Sequence, residues 1–341
     1  MIVNGSRLKG FAQCREKQWN WDELRLTWFR TPDTLFRGSG FHEGIAEYFA
    51  THDISRAADT CERSMRETLA HELVLQEDLP EIEHAIAWTR MAVKEFAAHY
   101  EGQPVQVLWP EVKFQVPIPN SEHHCFFVHR LAAALGLLRE DQVQHPNGKN
   151  CINTPCANQP HYFRGKTDAV VTWENNVWLF EHKTNSLAQD IFFQKFFLDS
   201  QPTGYLYGIW KSMGVLPAGF ILNVIQKPNK RAKDQMQVGF AREVYLRSEE
   251  DLHDFETEVR AQATEYERAF AARALGTNPF LIYRNTESCT SYGRKCTYFD
   301  LCQRHPREAL PGEFAQREDD YVNTAYYELI KQYAQKGKEA R

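Results

Sequence analysis

The sequence predicts an α/β fold in which a small sheet is braced by helices, with helical decoration before it and an irregular, cysteine-rich segment after it. Three observations carry this expectation. First, apolar residues recur at three- and four-residue spacing in "SGFHEGIAEYFATH", "ISRAADTCERSMRETLAHELVL" and "EIEHAIAWTRMAVKEFAAHY", the period of amphipathic helices. Second, from residue 105 the pattern changes to short Val-rich, partly alternating runs. Third, a long helical period returns from about 248 to 275 and gives way to a segment with three closely placed cysteines. Four segments follow: a helical region at 1–104 carrying Cys14 and His42, an α/β core at 105–275, a cysteine-rich segment at 276–310 and a helical tail at 311–341.

Within the core, "VQVLWPEVKFQVPIP" at 105–119 reads as a strand despite Pro110, because Val favours a pleated surface. A Pro/Asn/Cys-rich insertion at 145–161 precedes "TDAVVTWENNVWLFEHKT", which reads as two strands joined at Asn175-Asn176, residues that tolerate a tight turn. A helix at 201–213, strands in "AGFILNVIQK" and "FAREVYLR", and the long helix complete the core. The tract "IFFQKFF" places Phe192, Phe193, Phe196 and Phe197 at helical spacing; such rings fit a core, and they also suit stacking on unpaired bases.

Bulk charge excludes a protein held to nucleic acid by overall attraction, since 40 Lys+Arg face 45 Asp+Glu for a net −5. A local basic groove remains open, and Lys227, Lys230, Arg231 and Lys233 in "KPNKRAKDQ" are the candidates, or else an ordinary solvated loop. The longest apolar run, "LAAALGLL" at 131–138, is too short to span a bilayer, and "MIVNGSRLKG" lacks the apolar stretch of a signal peptide. The expectation is a soluble cytoplasmic protein without a membrane partner.

Charge inside the hairpin is the sharpest clue, because charged groups are expensive to bury unpaired. With a turn at Asn175-Asn176, Asp168 would stand opposite Lys183 and Val170 opposite Glu181. Side chains alternate along a strand, so Asp168, Glu181 and Lys183 project from one face. Two carboxylates beside a lysine offer hard oxygens to Mg²⁺ or Mn²⁺, and a cation there could activate water against a phosphodiester. A structural Asp–Lys pair across the hairpin is the other reading of the same spacing.

"GKTDAVV" followed by "WLFEHKT" resembles the D…(D/E)-x-K signature of the PD-(D/E)XK nuclease superfamily, in particular its RecB-like and Cas4-like branch. Three further stretches are similar to that branch in the same order: "SRLKGFAQCREKQWNW", "SGFHEGIAEYF" and "QPTGYLYG". The resemblance runs from about residue 6 to 302; Thr167 stands where the namesake proline would be. It implies a restriction-endonuclease-like core, a mixed central sheet flanked by helices. It also implies His42, Asp168 and Glu181 as ligands of Mg²⁺ or Mn²⁺, Lys183 as the group assisting attack by water, and Gln201 and Tyr205 as residues shaping the site. Gln201 and Tyr205 lie four apart on one helix face, with Pro202 suited to the first turn and Gly204 and Gly208 keeping the helix slim. His42 would follow Ser39 as a helix cap. "HEGIA" is not H-E-x-x-H, because position 46 is alanine, so a zincin site is excluded.

Eight cysteines without a secretion signal point away from a disulfide framework. "CTSYGRKCTYFDLC" holds Cys289, Cys296 and Cys302, which need a fourth ligand to bind a metal centre. The resemblance supplies Cys14 and implies a [4Fe-4S] cluster on these four thiols, which is also what such a cluster requires chemically. Zinc on the same thiols is the competing reading. His145, Cys151, Cys156 and His161 do not have the spacing of a standard zinc finger and read as a surface insertion, and Cys61 and Cys125 read as small apolar fillers.

The resemblance therefore implies a metal-dependent DNA nuclease, an exonuclease on single-stranded or processed DNA ends in recombination, repair, CRISPR or phage DNA processing. No G-x-x-x-x-G-K-[ST] occurs, so a helicase or recombinase partner would be a separate chain. A non-catalytic DNA-binding or assembly module with the same fold is the alternative reading, and a redox sensor built on the cluster is a third.

Overall fold

A computed structural model describes residues 2–27, 29, 31–72, 74–119, 161–185, 189–227, 236–274, 278–290 and 295–316. In chain order these form β1 (Ile2–Val3), α1 (Gly5–Gln13), α2 (Arg15–Asp22), β2 (Leu26–Thr27), α3 (Asp33–Thr51), α4 (Ile54–Ala70), α5 (Leu79–His99), β3 (Gln106–Pro117), β4 (Tyr162–Trp173) and β5 (Asn176–Asn185). Then follow α6 (Gln189–Gln194), α7 (Ser200–Met213), β6 (Gly219–Gln226), β7 (Gly239–Leu246), α8 (Glu249–Ala274), α9 (Phe299–Gln303) and β8 (Ala315–Gln316). Among the described residues no helix is long and apolar enough to cross a membrane.

The chain divides into two compact units. The first, here the sheet unit, comprises Phe29–Phe114 and Gly165–His253. Its sheet is mixed: β4 pairs antiparallel with β5, β5 parallel with β6, and β6 antiparallel with β7, while β3 pairs with β4. No charged residue occurs in β6, which reads GFILNVIQ and is buried along almost its whole length, as expected of a strand covered on both faces. Helices α3, α4 and α5 pack around Phe41, Ile45, Cys61, Met65, Trp88 and Phe96, all fully buried. Each such side chain stabilises by roughly 2 kcal/mol relative to exposure. Cys61 sits in this core, its thiol pushed up to about 12 by burial, and behaves as an apolar filler.

The second, here the cysteine unit, comprises Met1–Trp28, Gln115–Arg164 and Asp254–Arg341. There β1 pairs parallel with Tyr162–Phe163, and β2 pairs antiparallel with β8. Its core is aromatic: Tyr266 and Phe270 stack 4.3 Å apart, with Phe11 and Trp19 against them. His161 is buried here with Nε2 3.0 Å from Glu267 Oε2.

Three expectations need correction. The hairpin turn lies at Glu174-Asn175, which adopt φ of 48° and 61°, and Asn176 enters the strand opposite Trp173. Ala169 therefore faces Phe180, and the same register counted one position on assigns Asp168 the partner Glu181, not Lys183. Moving a turn by one residue moves every partner by two, so the three charged residues keep their common face. Second, α3 begins at Asp33 after Pro32, whose ψ of 140° is extended, so Ser39 is no cap and His42 lies in the helix interior. The Arg37–Asp33 ion pair at 2.7 Å, one turn apart, supports the earlier start. Third, the ring tract is only partly core: Phe192 and Phe196 are buried, but Phe197 is 60% exposed. His145, Cys125, Cys151, Cys156, Lys230, Arg231, Lys233 and all of the proposed tail beyond residue 316 lie outside the described residues.

Candidate active site

Four elements of the sheet unit carry the predicted catalytic residues: α3 brings His42, β4 brings Asp168, β5 brings Glu181 and Lys183, and α7 brings Gln201 and Tyr205. Alternation sorts the hairpin. Ala169, Val171, Trp178 and Phe180 form an apolar cluster on one face, which leaves Asp168, Glu181 and Lys183 on the other. Helix α7 starts on Asp199, whose carboxylate accepts from the Gln201 amide at 3.0 Å. At Gly208 an added Cβ would lie 2.1 Å from the Phe114 ring, so glycine is what lets this helix seat where it does.

The structure brings His42 and Asp168 into direct contact, His42 Nδ1 lying 3.0 Å from Asp168 Oδ1. The other oxygen, Asp168 Oδ2, accepts the backbone N–H of His182 at 2.7 Å. Glu181 Oε1 is bonded to Lys183 Nζ, whereas Glu181 Oε2 is buried with no hydrogen-bond partner among the described residues. On α7, Gln201 Nε2 donates to the Tyr205 hydroxyl at 2.8 Å. His42 and Lys183 keep 28% and 29% of their side-chain exposure while Glu181 keeps 2%, so the group is walled in but open on one side.

Electrostatics set distinct protonation states. For Asp168, burial opposes ionisation, but the charge and hydrogen bond of His42, with His182 and Lys183 beyond, hold its carboxyl well below the usual range. Glu181 goes the other way: burial raises it, Lys183 works against that, and the neighbouring Asp168 charge adds to it. Burial would lower Lys183, yet the carboxylates of Glu181 and Asp168 raise it, so its ammonium stays protonated. Tyr205 is raised by burial and then by the Glu181 charge, so its hydroxyl keeps a proton to donate.

Sequence reasoning missed His182. It points to the opposite face from Glu181 and Lys183, fully buried with its ring 5.2 Å from Phe96 and 5.8 Å from Phe180. Burial brings its imidazole down to about 3, so it is neutral, and its backbone N–H positions Asp168. Strand alternation alone could have assigned this histidine to the core face.

In the cysteine unit, Cys14 joins α1 to α2, Cys289 ends a 3-10 turn at Thr286–Ser288, Cys302 lies in α9, and Cys296 precedes it. The Asn285 amide donates to Cys14 Sγ at 3.4 Å, and the Cys296 amide to the Cys289 carbonyl at 2.8 Å. Burial raises the Cys289 thiol, and negative charge on Cys14 and Cys296 adds to this. Cys302 is pushed up to about 11, by burial, then Glu16 and the other three cysteines. The four predicted thiols thus share one neighbourhood, spanning nearly the length of the chain.

Among the described residues no three His, Cys, Asp or Glu side chains stand close enough, as placed, to hold one metal ion. The donor chemistry nevertheless suits a hard divalent cation in the sheet unit: two carboxylates, an imidazole, and one buried Glu181 oxygen that has no partner among the described residues.

No curated protein matches the chain. Residues 3–303 match the family model of the PD-(D/E)XK nuclease superfamily, a span that contains every residue assigned above. Members of that superfamily generally use Mg²⁺ or Mn²⁺ and act on DNA. With a mixed sheet flanked by helices and its signature residues gathered on one sheet face, the chain belongs to the PD-(D/E)XK nuclease superfamily.

Proposed function

We propose that this chain is a metal-dependent deoxyribonuclease of the RecB-like and Cas4-like branch, acting as an exonuclease on single-stranded or processed DNA ends. The observation that carries the reading is the gathering of His42, Asp168, Glu181 and Lys183 in a half-open polar group on the hairpin face opposite its apolar cluster. His42, Asp168 and Glu181 would hold Mg²⁺ or Mn²⁺. A bound cation supplies Lewis acidity toward the scissile phosphate.

The protein's own groups do the rest. Asp168 stays ionised and is fixed by the His182 amide, so its charge does not wander when substrate arrives. Lys183 is protonated and therefore acts as a donor and counter-charge, orienting the attacking water and offsetting charge on the phosphoryl oxygens. Tyr205, tethered by Gln201, presents its hydroxyl as a further donor. A [4Fe-4S] cluster on Cys14, Cys289, Cys296 and Cys302 would clamp the chain ends of the cysteine unit and have a structural role. Proximity of the four thiols supports that assignment over scattered buried cysteines.

Anaerobically purified protein incubated with end-labelled single-stranded DNA and Mn²⁺ tests the reading. Lys183→Ala should lower the cleavage rate by about 10²–10³-fold, with an unchanged circular dichroism spectrum; Asp168→Ala should do at least as much. Wild-type rates in both variants would remove the assignment. Binding of DNA by the wild type without shortening it would make the chain a binding module instead.

A further inference from the structure

The catalytic reading leaves unused the turn between α6 and α7. Its residues Phe196, Phe197 and Leu198 are apolar where a surface turn is ordinarily polar. Phe192 and Phe196 are buried, yet Phe197 is 60% exposed and Leu198 94% exposed. Folding gains little from apolar surface left in water.

The turn is held in place from below. Arg247 gives Nη2 to the Phe196 and Phe197 carbonyls, at 3.0 and 2.8 Å, and Nε to Thr203 Oγ1 on α7 at 3.1 Å. The Tyr245 hydroxyl donates to the Phe193 carbonyl at 2.8 Å. The Phe197 ring meets the Tyr245 ring in a T-shaped contact at 5.2 Å, and Tyr245 is itself stacked on Phe220 at 4.7 Å. An arginine, a tyrosine and a stack of rings thus present two apolar side chains to solvent in a fixed place, the preorganisation expected of a binding surface.

Register sets this platform on the catalytic face of the sheet. Tyr245 pairs with Phe220, and Glu181 pairs with Leu222, two residues further along β6. Phe220 and Leu222 share a face by alternation, so Tyr245 and Glu181 share it too. Two strand spacings and two residue rises separate them, roughly 12 Å, so one nucleic-acid strand can engage both. Val244 and Leu246, the exposed apolar residues of β7, face the other side by the same alternation. Phe197 and Leu198 then offer on the order of 300 Å², well short of the roughly 800 Å² per partner of a stable protein interface. An unpaired base needs only a ring to stack on.

We propose that Phe197, with Leu198 beside it, is a stacking platform for an unpaired base of the strand that enters the catalytic group. The proposal rests on the reading of the chain as a DNA nuclease, but its test does not need cleavage. A fluorescein-labelled oligodeoxythymidylate of about 15 nucleotides is titrated with the full chain in EDTA and followed by anisotropy. Phe197→Ala should weaken binding at least roughly fivefold. Phe197→Trp should bind at least as well as wild type, whereas Phe197→Leu, apolar but without a ring, should stay near the alanine variant. An abasic strand of the same length keeps the phosphates and lacks the bases, so it should bind wild type and Phe197→Ala alike. Urea-unfolding midpoints should coincide across the set, because the side chain lies mostly in solvent.

Wild-type affinity in Phe197→Ala, full affinity in Phe197→Leu, a lowered unfolding midpoint in Phe197→Ala, or no strand binding by the wild type would each overturn the platform. So would a wild-type dimer in sedimentation that Leu198→Asp dissolves with strand affinity unchanged, which would make the turn a contact between copies. Mn²⁺-dependent cleavage of the labelled strand by the wild type, with binding indifferent to the ring, would remove the platform and keep the nuclease. Ring-dependent binding by a wild type that cleaves no DNA would keep the platform and remove the nuclease.

Discussion

His42, Asp168, Glu181, Lys183, Gln201 and Tyr205 sit inside regular elements, whereas Cys14, Cys289, Cys296 and Cys302 sit where elements end or are very short. The first set is positioned by ladders and helix turns whose backbone groups satisfy each other. The second depends on side chains that capture loose backbone: Asn285 Nδ2 and Ser288 Oγ both donate to the Gln13 carbonyl, at 2.8 and 2.9 Å. A catalytic group needs fixed direction to within a fraction of an ångström, and a strand or helix supplies that without further help. A thiol set gathered from residue 14 and residues 289–302 must close a very long loop, and a few side-chain bonds weigh little against that entropy. Such a region has most to gain from an added cross-link.

Substitutions can break or sharpen this contrast. The largest expected effect on stability is Phe96→Ala, which empties a fully buried site between α3 and the His182 ring. It should cost about 3–5 kcal/mol in urea-unfolding experiments. If regular packing holds the catalytic group, cleavage should fall together with the folded fraction. A smaller loss is expected from Gly208→Ala. Phe114 is confined by Gly208 on one side and Gly165 on the other, where an added Cβ would lie 2.1 and 2.4 Å from its ring. The ring has nowhere to yield, so overpacking should cost about 1–3 kcal/mol, read by the same titration. Asn285→Ala should be the mildest, about 1 kcal/mol for the lost bond to Gln13, yet it should be visible where the others are silent. Cys14 and Cys289 in metal-free protein should react faster with a thiol reagent, while cleavage of small diesters stays unchanged. Equal thiol reactivity in wild type and variant would mean that the cysteine neighbourhood is held by something other than these bonds.

Much of the candidate site was legible before any coordinates. Helical spacing located α4, α5 and α7 to within a few residues, because that period is written by side chains that are neighbours in sequence. Less legible was the hairpin. Asn-Asn looked like the turn because asparagine tolerates positive φ, but Glu174 takes the first such position at 48°. Neither pattern nor burial could separate the two registers, since both leave the same residues on the same faces. The start of α3 was hidden for a similar reason: a serine inside a helix looks the same in sequence as a serine at its cap.

By itself, then, the sequence determined which elements form, which face of the hairpin is charged, and which residue types are available for chemistry. These follow from periodicity, a short-range property that survives without knowledge of the rest of the molecule. Only tertiary structure decided that Asp168 meets His42, that one oxygen of Glu181 is buried without a partner among the described residues, that His182 is a neutral core residue, and that Cys14 joins the C-terminal thiols. Each depends on groups distant in sequence coming together, and their protonation and pairing are set by desolvation, which exists only once the chain has closed around them.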